Sequence, residues 1–135
     1  MSILLKKGNY LVISLVIAIF FLFIAFFTNA TSPSSTEPVQ VLENYLNSVK
    51  NMDVDRAATY VIDERYKDNG TKIKSYKKMF QEEKLANYKI ESVKFEDKQH
   101  ALVETTLEIE GGPKVKNNFK LIEQDGQWKV FFSNK

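Results

Sequence analysis

An uninterrupted apolar run near the N-terminus constrains this chain more than any other feature. Residues 10–27 (YLVISLVIAIFFLFIAFF) contain no charged side chain, and only Tyr10 and Ser14 carry a polar side-chain atom. As an α-helix the run would be roughly 27 Å long, close to the thickness of the hydrocarbon core of a bilayer. A helix also satisfies its own backbone N–H and C=O groups, as a segment that crosses lipid must. The sequence therefore predicts a transmembrane anchor at residues 10–27.

The charges that flank this run predict its orientation. Lys6 and Lys7 precede it, whereas the first charged residue after it is Glu37. Because positively charged flanks stay in the cytoplasm, we expect residues 1–9 to form a cytoplasmic tail and the rest of the chain to lie outside. A cleaved secretory signal is the alternative, with residues 28–30 (TNA) as a loose cleavage site, and a buried core helix is a third. The first two interpretations both place the C-terminal part outside the cell membrane, where a cleaved chain would be secreted.

A linker and one domain follow the apolar run. Residues 28–37 (TNATSPSSTE) are small and polar and include a proline, a composition typical of a flexible linker. Random-coil scaling gives this linker an end-to-end distance of roughly 17 Å. Residues 38–135 are enough for one small core. The sequence thus predicts a single extracytoplasmic domain held close to the membrane.

The charge balance and the missing cysteines exclude several classes of function. The chain has 19 Lys and Arg residues against 17 Asp and Glu residues, and the excess of two lies in Lys6 and Lys7. The predicted domain is therefore neutral, which argues against a nucleic-acid partner. With no cysteine there is no disulfide framework and no thiolate metal site. His100 is the only histidine, and we interpret it as a surface or strand-end residue, so we expect neither a metal nor a cofactor.

Three helices are predicted in the first half of the domain. Residues 38–52 place their apolar side chains in one arc, with polar side chains opposite. Asp53 has the position of an N-cap for a second helix, residues 54–61. A third helix is predicted from residue 71 or 72 to residue 85, because its apolar side chains share one side: Ile73, Tyr76, Met79 and Phe80.

The opposite face of the third predicted helix carries lysines. Lys74, Lys77 and Lys78 lie together on it. Lysine clusters near a membrane suit anionic lipid headgroups or cell-wall polymers. A solvated helix face is the plainer interpretation, and the sequence keeps membrane contact as the alternative.

After Asn87 the spacing of apolar residues changes from a period of 3.6 residues to a period of 2 residues. This change predicts four strands. They are residues 88–95, 100–109, 115–124 and 127–132. Asp125-Gly126 is a strong signal for a two-residue hairpin between the last two. A sheet with one apolar face needs a cover, which the three helices supply. The predicted fold class is α+β: a transmembrane helix, then three helices packed on a curved, four-stranded antiparallel sheet.

Two stretches of sequence resemble the nuclear transport factor 2-like superfamily, which includes ketosteroid isomerase and the SnoaL-like proteins. Residues 41–58 (VLENYLNSVKNMDVDRAA) are similar to its first two helices and their junction, and residues 123–130 (EQDGQWKV) to its closing hairpin. The resemblance covers about residues 37–135 and implies a cone-shaped fold. The small extracytoplasmic members with an anchor or signal, of uncharacterised subfamily, look most similar. Function does not follow, because the fold serves enzymes, ligand binders and scaffolds alike.

The candidate site follows from the same resemblance. Enzymes with this fold place a carboxylate or histidine in the mouth of the cone, often beside a tyrosine donor. Here Tyr60, Asp63 and Tyr66 cluster after the second helix, and Trp128 lies in the closing hairpin. An aspartate base with tyrosine donors would suit proton transfer next to a carbonyl. A capped helix end with tyrosines partly in the core is the plainer explanation of the cluster, so we name these residues as ligand-binding candidates and predict no catalytic residue.

The predicted function is a membrane-anchored, non-catalytic extracytoplasmic domain that binds a protein or a small apolar ligand. A structural component of an envelope assembly for secretion or conjugation, in contact with another envelope protein, is the first alternative. A small enzyme that uses the cavity of the cone is the second. The sequence alone does not choose among ligands or partners.

The anchor makes a prediction about topology. Protease added to intact cells is expected to digest residues 38–135, because they lie outside, and to spare residues 1–9. Immunoblots of a chain tagged at both ends measure this, with a cytoplasmic protein of the same cells as the control. A C-terminal tag that survives in intact cells and disappears only after lysis would contradict the predicted orientation.

Overall fold

The computed structural model describes residues 36–134. Their first element is α1, Thr36–Lys50, which begins two residues before the predicted start. Leu42, Tyr45 and Leu46 are buried on one side of it, as the 3.6-residue periodicity predicts. The helix therefore presents a narrow apolar stripe to the rest of the domain.

A short second helix, α2 (Val54–Thr59), follows a sharp turn. Met52 has a φ of 60°, in the left-handed region, and reverses the chain after α1. Asp53 caps α2 as predicted, because its carboxylate accepts a hydrogen bond of 3.1 Å from the backbone N–H of Arg56. The helix ends at Thr59, two residues earlier than predicted, because the chain continues into a strand.

That strand, β1 (Val61–Asp63), was not predicted. It pairs in parallel with the last strand, β5 (Gln127–Phe132), in the register Val61 with Val130 and Asp63 with Phe132. Three residues are too few for a period-2 pattern, and they directly follow a helix, so the sequence carries no signal for β1. The sheet is consequently five-stranded and mixed rather than four-stranded and antiparallel.

Helix α3, Asn69–Glu82, lies between β1 and the remaining strands. Asp68 caps it by accepting hydrogen bonds of 2.8 Å from both the N–H and the hydroxyl of Thr71. Because of this cap, α3 begins two or three residues earlier than predicted. Tyr76 and Phe80, one turn apart, are its buried residues.

The four predicted strands are β2 (Leu85–Phe95), β3 (His100–Ile109), β4 (Lys114–Gln124) and β5. Consecutive strands pair antiparallel, and the order across the sheet is β1-β5-β4-β3-β2. Asp125 and Gly126 have φ values of 53° and 76°, as a two-residue hairpin of this twist requires. This turn pairs Leu121 with Val130.

The core lies between one face of the sheet and the helices. Its sheet side is formed by alternate residues of β3, β4 and β5, and its helix side by the buried stripes of α1 and α3. Among the described residues no buried side-chain nitrogen or oxygen lacks a hydrogen-bond partner. The other face of the sheet carries ion pairs, including Lys116 with Glu104 at 3.6 Å. The α+β class and the one-sided core are therefore confirmed.

The predictions of a membrane anchor and its flanking segments concern residues before the described part of the chain. Between residues 36 and 134, no helix is long and apolar enough to cross a bilayer. The predicted tail (1–9), the anchor (10–27) and most of the linker (28–37) lie outside the described residues, and they stay predictions.

Trp128 provides a test of the core. It is 6% exposed and makes an edge-to-face contact with Phe95, with ring centroids 5.8 Å apart. Trp128→Ala is expected to lower the free energy of unfolding by about 3–5 kcal/mol, because it leaves a large cavity. Urea denaturation measures the loss. Val115→Ala is the control, since Val115 is 45% exposed, and a loss below about 1 kcal/mol for Trp128→Ala would contradict the burial of this ring.

Candidate functional site

An apolar pocket of about 210 Å³ opens between α1, α3 and the inner face of the sheet. Eight of its ten lining residues are apolar. Of all ten, α1 contributes two, the end of α3 contributes three and the sheet contributes five. In chain order they are Leu46, Val49, Met79, Phe80, Glu83, Leu85, Leu107, Ile109, Asn117 and Phe119. A pocket of this composition suits an apolar group.

Secondary-structure periodicity brings these side chains together. Leu46 and Val49 are one turn apart on α1, so they point the same way. Leu107 and Ile109 are two residues apart on β3 and lie on one face of the sheet. Asn117 is held beside them, because its backbone carbonyl accepts a 3.1 Å hydrogen bond from the buried hydroxyl of Thr105.

The pocket has an apolar floor and a more polar mouth. Leu46, Phe80 and Phe119 are buried and form part of the floor. Met79 is 38% exposed, and Glu83 and Asn117 are also exposed, so these three residues form the mouth. A methionine at this position adapts its shape to an occupant, because its side chain is unbranched and flexible.

A second pocket, of about 320 Å³, lies where the junction of α1 and α2 faces α3. Most of its lining is polar or charged, including Asp53, Asp55, Lys77 and Gln81, and Met52 is also at its edge. Asp53 is engaged as the cap of α2. The second pocket is therefore a charged surface depression, with less apolar lining than the first.

A polar cluster lies at the end of β1. The side chain of Asp63 has no exposed surface, whereas that of Arg65 is 38% exposed. Both carboxylate oxygens of Asp63 accept hydrogen bonds from the guanidinium of Arg65, at 2.8 and 2.7 Å. The hydroxyl of Tyr76 donates a third, at 2.6 Å. The cluster thus ties β1 to α3 through a saturated carboxylate.

Aromatic rings surround this cluster. The guanidinium of Arg65 lies 4.5 Å from the ring centroid of Phe132 and 5.7 Å from that of Tyr66. Tyr66 in turn contacts Tyr76 edge to face, with centroids 6.1 Å apart. These rings exclude water from one side of the ion pair and so strengthen it.

The environment shifts the pKa values of the cluster. Burial alone would raise the pKa of Asp63, but the hydrogen bonds from Arg65 and Tyr76 together outweigh it and hold this pKa below its usual range. Burial raises the pKa of Tyr76, and the bond to Asp63 adds to the effect. A carboxylate stabilised in its ionised form is a weak proton acceptor. The arrangement is that of a structural ion pair.

The predicted site residues do not form one site. Asp63 and Tyr66 meet through Arg65, but Tyr60 caps the end of α2, and Trp128 packs against Phe95. None of the four lines either of the two pockets described above. Their role in ligand binding stays a prediction. The residues that do line the apolar pocket were missed, because apolar side chains at a pocket and in a core have the same periodicity.

The lysine face lies on α3 as predicted. Lys74, Lys77 and Lys78 are all exposed. Lys78 is 3.8 Å from Glu82, and Lys77 lines the charged second pocket. Their contact with a membrane stays a prediction.

Histidine and acidic side chains do not gather into a metal site in residues 36–134. His100 begins β3, where its Nδ1 lies 2.8 Å from each carboxylate oxygen of Asp97. It is a partly exposed residue at the end of a strand, as the sequence predicts.

Comparison with known proteins identifies the fold. No protein family profile and no curated protein matches this chain. Several solved structures are similar to it, among them the following two. A protein from Campylobacter jejuni, provisionally named a nuclear transport factor 2-like transpeptidase, superposes with a TM-score of 0.55 at 14% identity, over 71% of this chain and 98% of its own. A ketosteroid isomerase-like protein from Erwinia carotovora atroseptica superposes with a TM-score of 0.50 at 13% identity, over 76% and 92%.

These likenesses confirm the predicted superfamily fold. The described part of the chain has the nuclear transport factor 2-like fold. At this level of identity, the likeness says nothing about activity, because function resides in sites and not in folds.

The ion pair of Asp63 predicts how stability depends on pH. Because the pKa of Asp63 is lowered in the folded chain, its stabilising effect is fully present above the unfolded pKa of about 3.9 and is lost as the pH falls through the folded value. Asp63→Asn is therefore expected to cost about 2–3 kcal/mol at pH 7 and to flatten the loss of stability below about pH 4.

Denaturation curves from pH 7 to pH 2 measure this effect. Asp125→Asn is the matched control, since Asp125 is exposed in a turn and asparagine tolerates its positive φ. A pH profile of Asp63→Asn that parallels the wild-type profile would show that this carboxylate is not selectively stabilised.

Proposed function

We propose that this domain is a non-catalytic binding module that takes a small apolar ligand, or an apolar side chain of a protein partner, into the pocket between α1, α3 and the sheet. The apolar lining of that pocket carries the proposal. Burial of an apolar group there would gain roughly 25 cal/mol for each Å² removed from water. A pocket of about 210 Å³ suits a small molecule or a single side chain rather than a long peptide.

Two observations support a role without catalysis. Asp63, the candidate base, has an enclosed side chain that is already hydrogen-bonded to Arg65 and Tyr76. Glu83 is the only titratable side chain among the residues that line the apolar pocket. Acid–base catalysis by two residues needs a second titratable side chain beside the bound molecule. Nucleophilic attack needs a nucleophile together with the base that activates it. The described lining supplies neither.

The location of the module is also part of the proposal. The apolar run of residues 10–27 and the lysines before it support an anchor in the cell membrane, with the domain outside. Lys74, Lys77 and Lys78 would then contact anionic headgroups, each contributing about 1 kcal/mol at most. A place in an envelope assembly, beside another envelope protein, is the alternative partner hypothesis.

Methionine methyl groups provide a direct test. Met79 lies at the mouth of the apolar pocket and Met52 at the second pocket. The full chain, labelled with ¹³C at its methionine methyl groups and held in phosphatidylcholine nanodiscs, is titrated with hexanol. The Met79 resonance is expected to shift with a saturable binding curve, and that of Met52 to stay in place.

A matched pair of variants locates the binding. Ile109 lines the pocket, whereas Ile122 alternates with the buried Leu121 and lies on the other face of the sheet. Ile109→Phe should weaken hexanol binding about fivefold, because the larger ring takes up pocket volume. Ile122→Phe should leave it unchanged. The proposed function would be refuted if the Met79 resonance did not shift on addition of hexanol. It would also be refuted if Ile109→Phe and the wild type bound hexanol equally well.

A further inference from the structure

One charged side chain stands at the mouth of the apolar pocket. Glu83 is exposed there, and no described residue forms an ion pair with it. Its backbone N–H caps the end of α3 by bonding to the carbonyl of Met79 at 2.9 Å, which holds the residue at the rim. The pocket is thus apolar inside and carries one free carboxylate at its opening.

The end of α3 adds to the negative charge at this position. The carbonyl end of a helix carries a partial negative charge, which a basic residue in the last turn usually balances. The last turn of α3 has no basic residue, and it is followed by Glu83. Two acidic residues, Glu82 and Glu83, therefore stand where a helix favours positive charge.

Nearby cations do not neutralise Glu83. Lys78 lies 3.8 Å from Glu82, one turn away on the exposed face of α3. Lys84, just before β2, has its Nζ 3.8 Å from a carboxylate oxygen of Glu110, just after β3. The basic residues at this end of the helix are thus paired with other carboxylates.

From this charge complementarity we infer that the pocket takes a small amphiphilic amine, a molecule with an apolar tail and a protonated primary amino group. The tail occupies the apolar floor, and the ammonium group lies at the mouth, where it pairs with Glu83 and with the negative end of α3. This inference rests on the proposed function, because it assigns a ligand class to the same pocket. The amide side chain of Asn117, also at the mouth, supplies a neutral oxygen acceptor for the ammonium group.

Three probes of one chain length and different head groups test the assignment. Hexylammonium, hexanol and hexanoate are titrated separately into the full chain in phosphatidylcholine nanodiscs, with the Met79 methyl resonance as the reporter and empty nanodiscs as the partition control. Hexylammonium is expected to bind roughly fivefold more tightly than hexanol, and hexanoate more weakly than either. Added salt should reduce the difference, because the mouth is exposed to solvent.

Glu83→Gln keeps the shape of the side chain and removes its charge. It should abolish most of the preference for hexylammonium over hexanol. Glu82→Gln, the adjacent acid on the exposed face, is the matched control and should retain the preference.

The outcomes separate this inference from the proposed function. Hexanol binding without a preference for hexylammonium, or a preference that survives in Glu83→Gln, overturns the ligand class and leaves an apolar pocket. If none of the three probes moves the Met79 resonance, the apolar binding site itself is refuted, and the ligand class with it.

Discussion

The fold depends on covering one apolar face of a sheet. Strands β3, β4 and β5 turn alternate apolar residues to the same side, and such a face is not stable in water until another layer packs on it. The helices α1 and α3 supply that layer with narrow stripes, in which Tyr45, Tyr76 and Phe80 are the largest members. Most of the hydrophobic stabilisation of the domain must arise between these two layers.

The candidate site exists because this cover is incomplete. The pocket lies where α1 ends at Lys50 and α3 at Glu82, beside the end of β3 and the first half of β4. Leu107 and Ile109 are left only half-buried as a result. The same apolar alternation that builds the core therefore continues into a pocket, and the end of α3 places a carboxylate at its mouth. The incomplete cover of the sheet thus accounts for both the apolar floor of the pocket and the charged residue at its mouth.

A second interaction joins the helical layer to the edge of the sheet. Asp63, at the end of β1, receives hydrogen bonds from Arg65 and from Tyr76 on α3. The same short strand pairs with β5. The carboxylate is buried only because it is fully hydrogen-bonded, since an unpaired charge in that position would be strongly destabilising. The ion pair of Asp63 therefore joins the helical layer to the edge of the sheet.

The amino-acid sequence by itself determined the α+β class, the order of helices before strands, and the hairpin at Asp125-Gly126. These features rest on local periodicity and on turn chemistry, which act between residues close in the chain. Only the tertiary structure decided the parallel strand β1, the partners of Asp63, and the pocket, because each joins residues far apart in sequence. Tyr76 is thirteen positions from Asp63, and the pocket joins α1 to β4. Local sequence patterns do not indicate such contacts. An apolar side chain that lines a pocket has the same sequence pattern as one that lies in the core.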